Sequence, residues 1–147
     1  MKKGIITVLC VLLLAGCSTS AQPWDSQQTA EKLLEMGSYD TGFVLLDSDQ
    51  VSGLLPGIEE CCDQIQVYES DSEIMNEIIV AHVKDRKQAE KVIRERQDYL
   101  LKESENYFPE QTGMIRDAVV DVQNDHLIFV ISSDPEQIKQ LIDQILK

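Results

Sequence analysis

Few residues of this chain have the types and spacing for chemistry, and the cysteines are the first of them. Cys17 follows Leu14–Gly16 at the end of a short apolar run, a spacing typical of a cysteine whose sulfur receives a lipid. Adjacent Cys61 and Cys62 lack Cys-x-x-Cys spacing and a neighbouring basic residue that would lower a thiol pKa, so redox catalysis is not predicted. Because neighbouring side chains on a strand point to opposite faces, we expect one buried and one exposed thiol. Outside the cytoplasm, the exposed thiol could bridge two chains.

No other pattern in the sequence predicts catalysis or a cofactor. Glu69, Asp71 and Glu73 could offer oxygens to calcium, but they lack the spacing of a standard calcium loop. His82 and His126 have no paired ligand at metal-binding spacing. The many serines and acids are not accompanied by a Gly-x-Ser-x-Gly motif, a phosphate-binding loop or an aromatic groove. We therefore predict a non-enzymatic protein without a metal or other cofactor.

The first residues of the chain are typical of a cleaved signal segment. Basic Lys2 and Lys3 precede an apolar run from Ile5 to Leu14, and small residues stand just before Cys17. The run of ten residues is too short for a membrane-spanning helix, which needs about 20. The pattern resembles bacterial lipoprotein precursors, and this resemblance implies a diacylglyceryl group on the Cys17 sulfur and cleavage just before it.

The domain organisation and the location follow from this segment. We predict a signal peptide over residues 1–16, a lipidated tether over residues 17–25 and a single globular domain over residues 26–147. Because two acyl chains anchor a protein stably, Cys17 would hold the domain at the extracytoplasmic face of a bacterial cell membrane. Trp24 is the exception in a polar tether, and we expect it to pack back onto its own domain.

The charge balance bears on the choice of partner. The chain holds 26 acidic and 13 basic residues, a formal net charge of −13 at pH 7. A surface of this sign repels nucleic acid phosphates and anionic lipid headgroups within a Debye length, about 8 Å at physiological salt. Nucleic acid is therefore not a predicted partner, and the acidity is interpreted first as a contribution to solubility.

Two stretches of the chain repeat one design, in which an apolar strand is followed by an aspartate and an amphipathic helix. At an offset of 49 residues, Ile78–Val80 corresponds to Leu127–Phe129 and Asp85 corresponds to Asp134. Each aspartate is placed to cap the helix that follows it. The helices carry mostly apolar stripes, formed by Ala89, Val92, Ile93, Arg96 and Leu100 in the first and by Ile138, Leu141, Ile142 and Ile145 in the second.

Each repeated strand has a partner just upstream. Residues 65–69 precede a strand over 78–83, and residues 118–123 precede a strand over 126–132. Asn124 and Asp125 tolerate positive φ, which a tight two-residue hairpin requires, so we expect the second pair to form a hairpin. The sequence therefore predicts an α+β domain with a four-stranded antiparallel sheet in ββαββα order and both long helices on one face.

The second face of this sheet needs a cover, because both repeated strands are apolar on both sides. A first helix is predicted over residues 26–36, with Asp25 as its cap and Gln28 at capping-box spacing. We expect this helix and the segment 43–58 to cover the second face. A partner chain is the alternative cover.

Several of these features together carry a family resemblance. An acidic lipoprotein head, Glu77 at the start of an apolar strand, a long helix opened by Asp85 to Gln88, and a closing hairpin and helix from Ala118 resemble the domain of unknown function 4358 family. That family comprises small lipoproteins, mainly of Gram-positive bacteria, without an assigned activity. The resemblance covers most of the chain beyond the signal segment and implies no site residues.

These observations predict a membrane-anchored, non-catalytic protein-interaction module whose partner is an envelope protein. A small-ligand-binding lipoprotein, with a pocket between the sheet and the amino-terminal segment, is the alternative. The contact region is expected either on an apolar sheet face or at a loop. The residues in question are Ile78, Val80, Leu127 and Phe129 for the sheet face and Tyr107 and Phe108 for the loop.

Overall fold

Aspartate caps begin four of the described helices, three of them at the predicted residues Asp25, Asp85 and Asp134. The computed structural model describes residues 24–147, so the predicted signal peptide, the Cys17 lipid site and residues 17–23 of the predicted tether lie outside the described residues. Helix geometry leaves the first backbone N–H groups unpaired, and a cap satisfies one of them. Each cap accepts a hydrogen bond from the N–H three residues ahead: Asp25 from Gln28, Asp47 from Gln50, Asp85 from Gln88 and Asp134 from Gln137.

The described residues form six α-helices and five strands. The helices are α1 (Ser26–Met36), α2 (Ser48–Leu54), α3 (Ile58–Cys61), α4 (Arg86–Tyr107), α5 (Thr112–Arg116) and α6 (Pro135–Ile145), with a 3-10 turn over Pro109–Gln111. The strands are β1 (Phe43–Leu45), β2 (Cys62–Ser70), β3 (Glu77–Val83), β4 (Val119–Val122) and β5 (His126–Ile131). The first helix, predicted over residues 26–36, is confirmed at both ends.

The described strands join in one antiparallel sheet in the order β1-β2-β3-β5-β4. In the centre of the sheet, Ile78 on β3 pairs with Val130 on β5. An α+β fold with an antiparallel sheet is therefore confirmed, but the predicted number of four strands is wrong because the sheet has five. The additional strand β1 is only three residues long, and so short a strand leaves no clear period-two pattern in the sequence.

The two long helices lie on opposite faces of the sheet, so the prediction that both cover one face is wrong. Helix α4 packs on one face with α2 and α3, in a core cluster that includes Val92, Ile79 and Phe129. Helix α6 packs on the other face with α1, in a cluster that includes Leu33 and Ile78. The physical reason is that both faces of the central strands are apolar, and each of them needs helical cover.

The amino-terminal segment contributes to both layers. Helix α1 lies on the second face, as predicted, and buries Ala30 and Leu33 there completely. Phe43 packs against the same cluster, whereas Val51 and Ile58 belong to the cluster under α4. The segment 43–58 therefore does not cover the second face as a unit, because the chain passes from one face to the other after β1.

The β4–β5 turn confirms one prediction and contradicts another. The β4–β5 hairpin turns at Asn124 and Asp125, as predicted. Neither residue adopts a positive φ, so that part of the expectation is wrong. Among the described non-glycine residues, positive φ occurs at Gln64 (φ 49°), where the β2–β3 register is irregular between Asp63 and Gln66. Such an irregularity bends a strand locally.

The two ends of the sheet differ in composition. At the hairpin end, His82 on β3 pairs with His126 on β5, and Trp24 stacks on His126 with ring centroids 5.6 Å apart. This stack confirms that Trp24 packs on its own domain. At the opposite end, which we call the glutamate end, Glu69 on β2 pairs with Glu77 on β3. Strand β3 has seven residues, so the two ends lie about 20 Å apart at about 3.3 Å per residue.

Candidate functional site

A buried ion pair at the glutamate end joins α4 to the sheet. Glu77 opens β3, and Arg96 occupies the buried stripe of α4. Arg96 Nε donates to both carboxylate oxygens of Glu77 at 3.1 and 3.2 Å, and Arg96 Nη2 donates to Glu77 and, at 2.9 Å, to Glu69 Oε1. Glu77 is only 3% exposed and Arg96 only 7%. The Arg96 and Glu77 charges therefore neutralise each other inside the protein, with Glu69 at the more exposed edge.

Burial and pairing act in opposite directions on these groups. Burial raises the pKa of the Glu77 carboxyl, and the hydrogen bonds and charge of Arg96 partly offset that rise. For Arg96, burial disfavours the charged form, but Glu77 and Glu69 outweigh burial and raise its pKa. Because arginine stays protonated at physiological pH, the guanidinium provides a permanent positive charge for Glu77.

A cleft of about 390 Å³ opens beside the ion pair, and we call it the glutamate cleft. Its walls come from β2, the β2–β3 connection and α4. Tyr99 on α4 lies with its ring centroid 5.8 Å from Arg96 Cζ and is 54% exposed. The lining includes Glu69, Glu73, Glu77, Glu103, Tyr99 and Phe108. The cleft thus combines several carboxylates with aromatic surface.

A second cleft, of about 410 Å³, adjoins the first. Both are lined by Leu54, Arg96 and Tyr99, so these residues stand between two neighbouring clefts. The second is otherwise mostly apolar, with Leu55, Pro56 and Val92 among its lining residues. We call it the apolar cleft, and the two together form a groove with an acidic part and an apolar part.

The predicted sheet contact residues Ile78, Val80, Leu127 and Phe129 do not form a surface, and this prediction is wrong. All four are fully buried. Ile78 and Val80 belong to the cluster under α1 and α6, whereas Leu127 and Phe129 belong to the cluster under α4. The reason is the register: Ile78 pairs with Val130, so the even-numbered residues of β5 share its face.

The predicted loop residues Tyr107 and Phe108 lie at the surface, at the carboxyl end of α4. Tyr107 is 69% exposed, and Phe108 is half-buried and lines the glutamate cleft. The structure therefore brings this loop together with the groove. Its role as a contact region stays a prediction.

Cys61 and Cys62 are both buried, so the expectation of one exposed thiol is wrong. Cys61 ends α3 and Cys62 begins β2, and strand alternation therefore does not govern the pair. Their Sγ atoms lie 3.9 Å apart, and Cys61 Sγ donates to the Ile58 carbonyl at 3.3 Å. Burial raises the pKa of both thiols, that of Cys62 to about 12. At neutral pH both thiols are protonated and shielded, which does not suit a reactive cysteine.

The histidines and the acids near them form structural contacts at the hairpin end. His82 Nδ1 lies 2.8 Å from Asp63, and His126 contacts Asp121 and Asp125 at 3.3 and 3.1 Å. Within residues 24–147, no group of three or more His, Cys, Asp or Glu side chains is placed to hold a metal ion.

The sequence patterns predict neither the ion pair nor Tyr99 as part of a site. In the sequence, Glu77 stands at the start of an apolar strand and Arg96 belongs to a helical stripe. A signal was nevertheless present, because each is a charged residue inside a pattern that predicts burial, and buried charges are normally paired. Their pairing could not be read because it depends on which sheet face α4 covers.

The fold and the site define an α+β domain with helices on both faces of an antiparallel sheet and an acidic cleft at one sheet end. Residues 60–132 match the family model described as Domain of unknown function (DUF4358), and this match supports the domain family that the sequence resembles. Glu69, Glu77 and Arg96 lie within the matched residues, whereas α1 and α6 lie outside them. No curated protein and no solved structure matches the chain significantly. In residues 24–147, no helix has the length and apolar character needed to cross a bilayer.

Proposed function

We propose that this protein is a lipoprotein of the bacterial cell envelope, anchored in the membrane through Cys17 and carrying a non-catalytic protein-interaction module on the extracytoplasmic side. Its partner would be another envelope protein. The observation that carries the proposal is the position of the groove and the exposed tyrosines, at the sheet end opposite to the one where the described chain begins.

The start of the described chain is fixed by contacts at the hairpin end. Trp24 stacks on His126, and Asp25 caps α1. Seven positions separate Trp24 from Cys17, a reach of about 25 Å at full extension. A lipid on Cys17 would therefore attach the domain through its hairpin end, so that the glutamate end is not the point of attachment.

The glutamate end carries groups that favour contact with a protein. Tyr99 and Tyr107 are 54% and 69% exposed, and tyrosine is enriched among residues that dominate binding energy at interfaces. Both clefts of the groove border Tyr99. We place the interaction surface on these two tyrosines, Phe108 and the rim of the groove.

A small-ligand-binding lipoprotein is the second candidate. The start of α1, the hairpin and the last residues of the chain line a cleft of about 590 Å³ at the hairpin end, with Trp24, Lys32 and Leu146 among its lining residues. That volume lies within the range of small-molecule sites. This cleft lies next to the tether, which would make it less accessible to a large partner than to a small one.

The anchor is tested by expressing the full chain in bacteria that process lipoproteins. Intact-mass measurement should show loss of residues 1–16 and addition of lipid, and the Cys17→Ser variant should leave the membrane fraction. A retained Met1 with an unmodified Cys17 would overturn the anchoring proposal.

The interaction surface is tested in the same cells with a photo-crosslinking residue at Tyr107. The matched control carries that residue at Gln123, which is exposed at the hairpin end. We expect one reproducible envelope protein to be linked from Tyr107 and not from Gln123. Equal adducts from both positions, or none from Tyr107, would contradict the proposed surface.

A further inference from the structure

We infer that the glutamate cleft binds the arginine or lysine side chain of an extended partner segment, and that the apolar cleft receives an apolar side chain of the same segment. This inference rests on the proposed interaction role and names the chemistry of the partner.

The charges that line the glutamate cleft favour a cation. Arg96 is the one described cationic residue in the lining, and Glu77 and Glu69 already pair with it. Glu73 and Glu103 also line the cleft, and neither has an ion-pair partner among residues 24–147. Glu103 is half-buried, so its charge is only partly hydrated. The cleft therefore keeps a surplus of negative charge that a cationic group would neutralise.

The lining of the glutamate cleft is rich in hydrogen-bond acceptors. Asn76 lines the cleft and is 1% exposed, and its Nδ2 donates to the Ile131 carbonyl at 3.2 Å. Its Oδ1 is buried and accepts no hydrogen bond from any described residue. Because that oxygen has almost no accessible surface, the acceptors open to a group in the cleft are the carboxylates of the lining. Guanidinium and ammonium groups carry several donors and no acceptor, which matches a lining rich in acceptors.

The aromatic and apolar walls favour a peptide over a free cation. Tyr99 and Phe108 offer ring surface on which a cationic side chain can pack. The groove continues past Tyr99 into the apolar cleft, where Leu55, Pro56 and Val92 provide a surface for an apolar side chain. A segment with a basic residue next to an apolar one satisfies both parts of the groove at once.

Other occupants fit these charges less well. An anionic ligand would add to the surplus negative charge of the cleft. A second copy of this chain is disfavoured, because the chain has a net charge of −13 and would bring more acid than base to the contact. A membrane surface is disfavoured as well, because anionic headgroups would be repelled by the surplus negative charge of the cleft.

The test uses the lipidated protein in nanodiscs of zwitterionic lipid and a dye-labelled hexapeptide of alternating arginine and leucine. Fluorescence anisotropy should show saturable binding that weakens as salt rises. Glu103→Gln should raise the Kd about fivefold, the effect of losing one partly exposed ion pair. The matched control is Glu105→Gln, which removes the same charge from an exposed position two residues further along α4, outside the cleft, and should leave the Kd nearly unchanged.

Three results would overturn the inference. The first is equal binding of a glutamate and leucine hexapeptide. The second is an equal effect of Glu103→Gln and Glu105→Gln in variants whose circular dichroism shows a native fold, because that would indicate general charge attraction. The third is that spermidine binds as tightly as the peptide, because the site would then recognise a free cation. Failure of lipidation would leave these affinities measurable on the unlipidated chain in solution. Failure of the Tyr107 crosslink would overturn the proposed function without changing them, so the two failures are distinguishable.

Discussion

Replacing Arg96 with methionine should destabilise the fold by about 3 kcal/mol at pH 7 and by less than about 1 kcal/mol at pH 5. The substitution leaves Glu77, which is 3% exposed, without its counter-charge. Removing one partner of a buried ion pair typically costs about 3–5 kcal/mol. The carboxyl can limit this cost by binding a proton.

The cost of binding that proton sets the upper limit, and it depends on how far the pH lies above 4.5, the ordinary pKa of the carboxyl. Protonation costs about 1.4 kcal/mol for each pH unit above that value, roughly 3 kcal/mol at pH 7 and under 1 kcal/mol at pH 5. Without Arg96, burial alone would hold the folded-state pKa of Glu77 above the unfolded-state value. The stability of the variant relative to the native protein is therefore highest below the folded-state pKa of Glu77 in the native protein. It falls as pH rises from there to the higher folded-state pKa of Glu77 in the variant.

Urea unfolding at both pH values, followed by circular dichroism and by the fluorescence of Trp24, measures this difference. Trp24 is the single tryptophan of the chain and stacks on His126, so its emission reports on the hairpin end. The control is Glu77→Gln, which removes the carboxylate charge and should show a much weaker dependence on pH than Arg96→Met. A loss for Arg96→Met that is equal at pH 5 and pH 7 would refute the reasoning, because the cost would then not come from an unpaired carboxylate.

Further substitutions test the core cluster under α1 and α6, the cap of α6 and the Cys62 thiol. Leu33→Ala should lower the free energy of unfolding by about 2–5 kcal/mol, whereas Met36→Ala, at a 53% exposed position of the same helix, should change it by under about 0.5 kcal/mol. Asp134→Ala should cost about 1 kcal/mol through loss of its cap, and exposed Asp143→Ala should cost little. The pKa of Cys62 rises from 9.0 to about 12 on folding. The thiol therefore contributes its full stability below pH 9. As pH rises from 9 towards 12 that contribution is lost, and the free energy of unfolding falls by up to about 1.4 kcal/mol per pH unit. Cys62→Ala should flatten that alkaline decline in denaturant titrations, and a decline as steep as that of the native protein would contradict the assignment.

Local signals in the sequence predicted local structure well. The cap at Asp25 and the helix that follows depend on residues within one or two turns of each other, so their pattern is complete in the sequence. The same holds for the hairpin at Asn124 and Asp125, where two apolar strands flank two turn-forming residues. The first sequence-based helix therefore coincides with α1 residue for residue.

Features that depend on register and on layer order could not be predicted in this way. The 49-residue offset suggested that Ile78 and Leu127 share a sheet face, but pairing of Ile78 with Val130 places them on opposite faces. Both faces are apolar, so hydrophobic periodicity alone cannot assign a helix to one of them. For the same reason the contact of Arg96 with Glu77 and the groove beside it became visible only in the folded chain.

We expect the buried ion pair to contribute more to the geometry of the groove than to stability. Apolar residues of similar volume can replace a buried pair at no loss, and often with a gain, so the pair needs another reason to be there. Arg96 also donates to Glu69 and packs against Tyr99, and both of these residues line the glutamate cleft. The double variant Glu77→Leu with Arg96→Met should therefore unfold at a urea concentration close to that of the native protein, yet bind the arginine and leucine hexapeptide about fivefold more weakly, as expected for one misplaced carboxylate. Native affinity in a stable double variant would contradict this positioning role, since the cleft would then keep its geometry without the guanidinium.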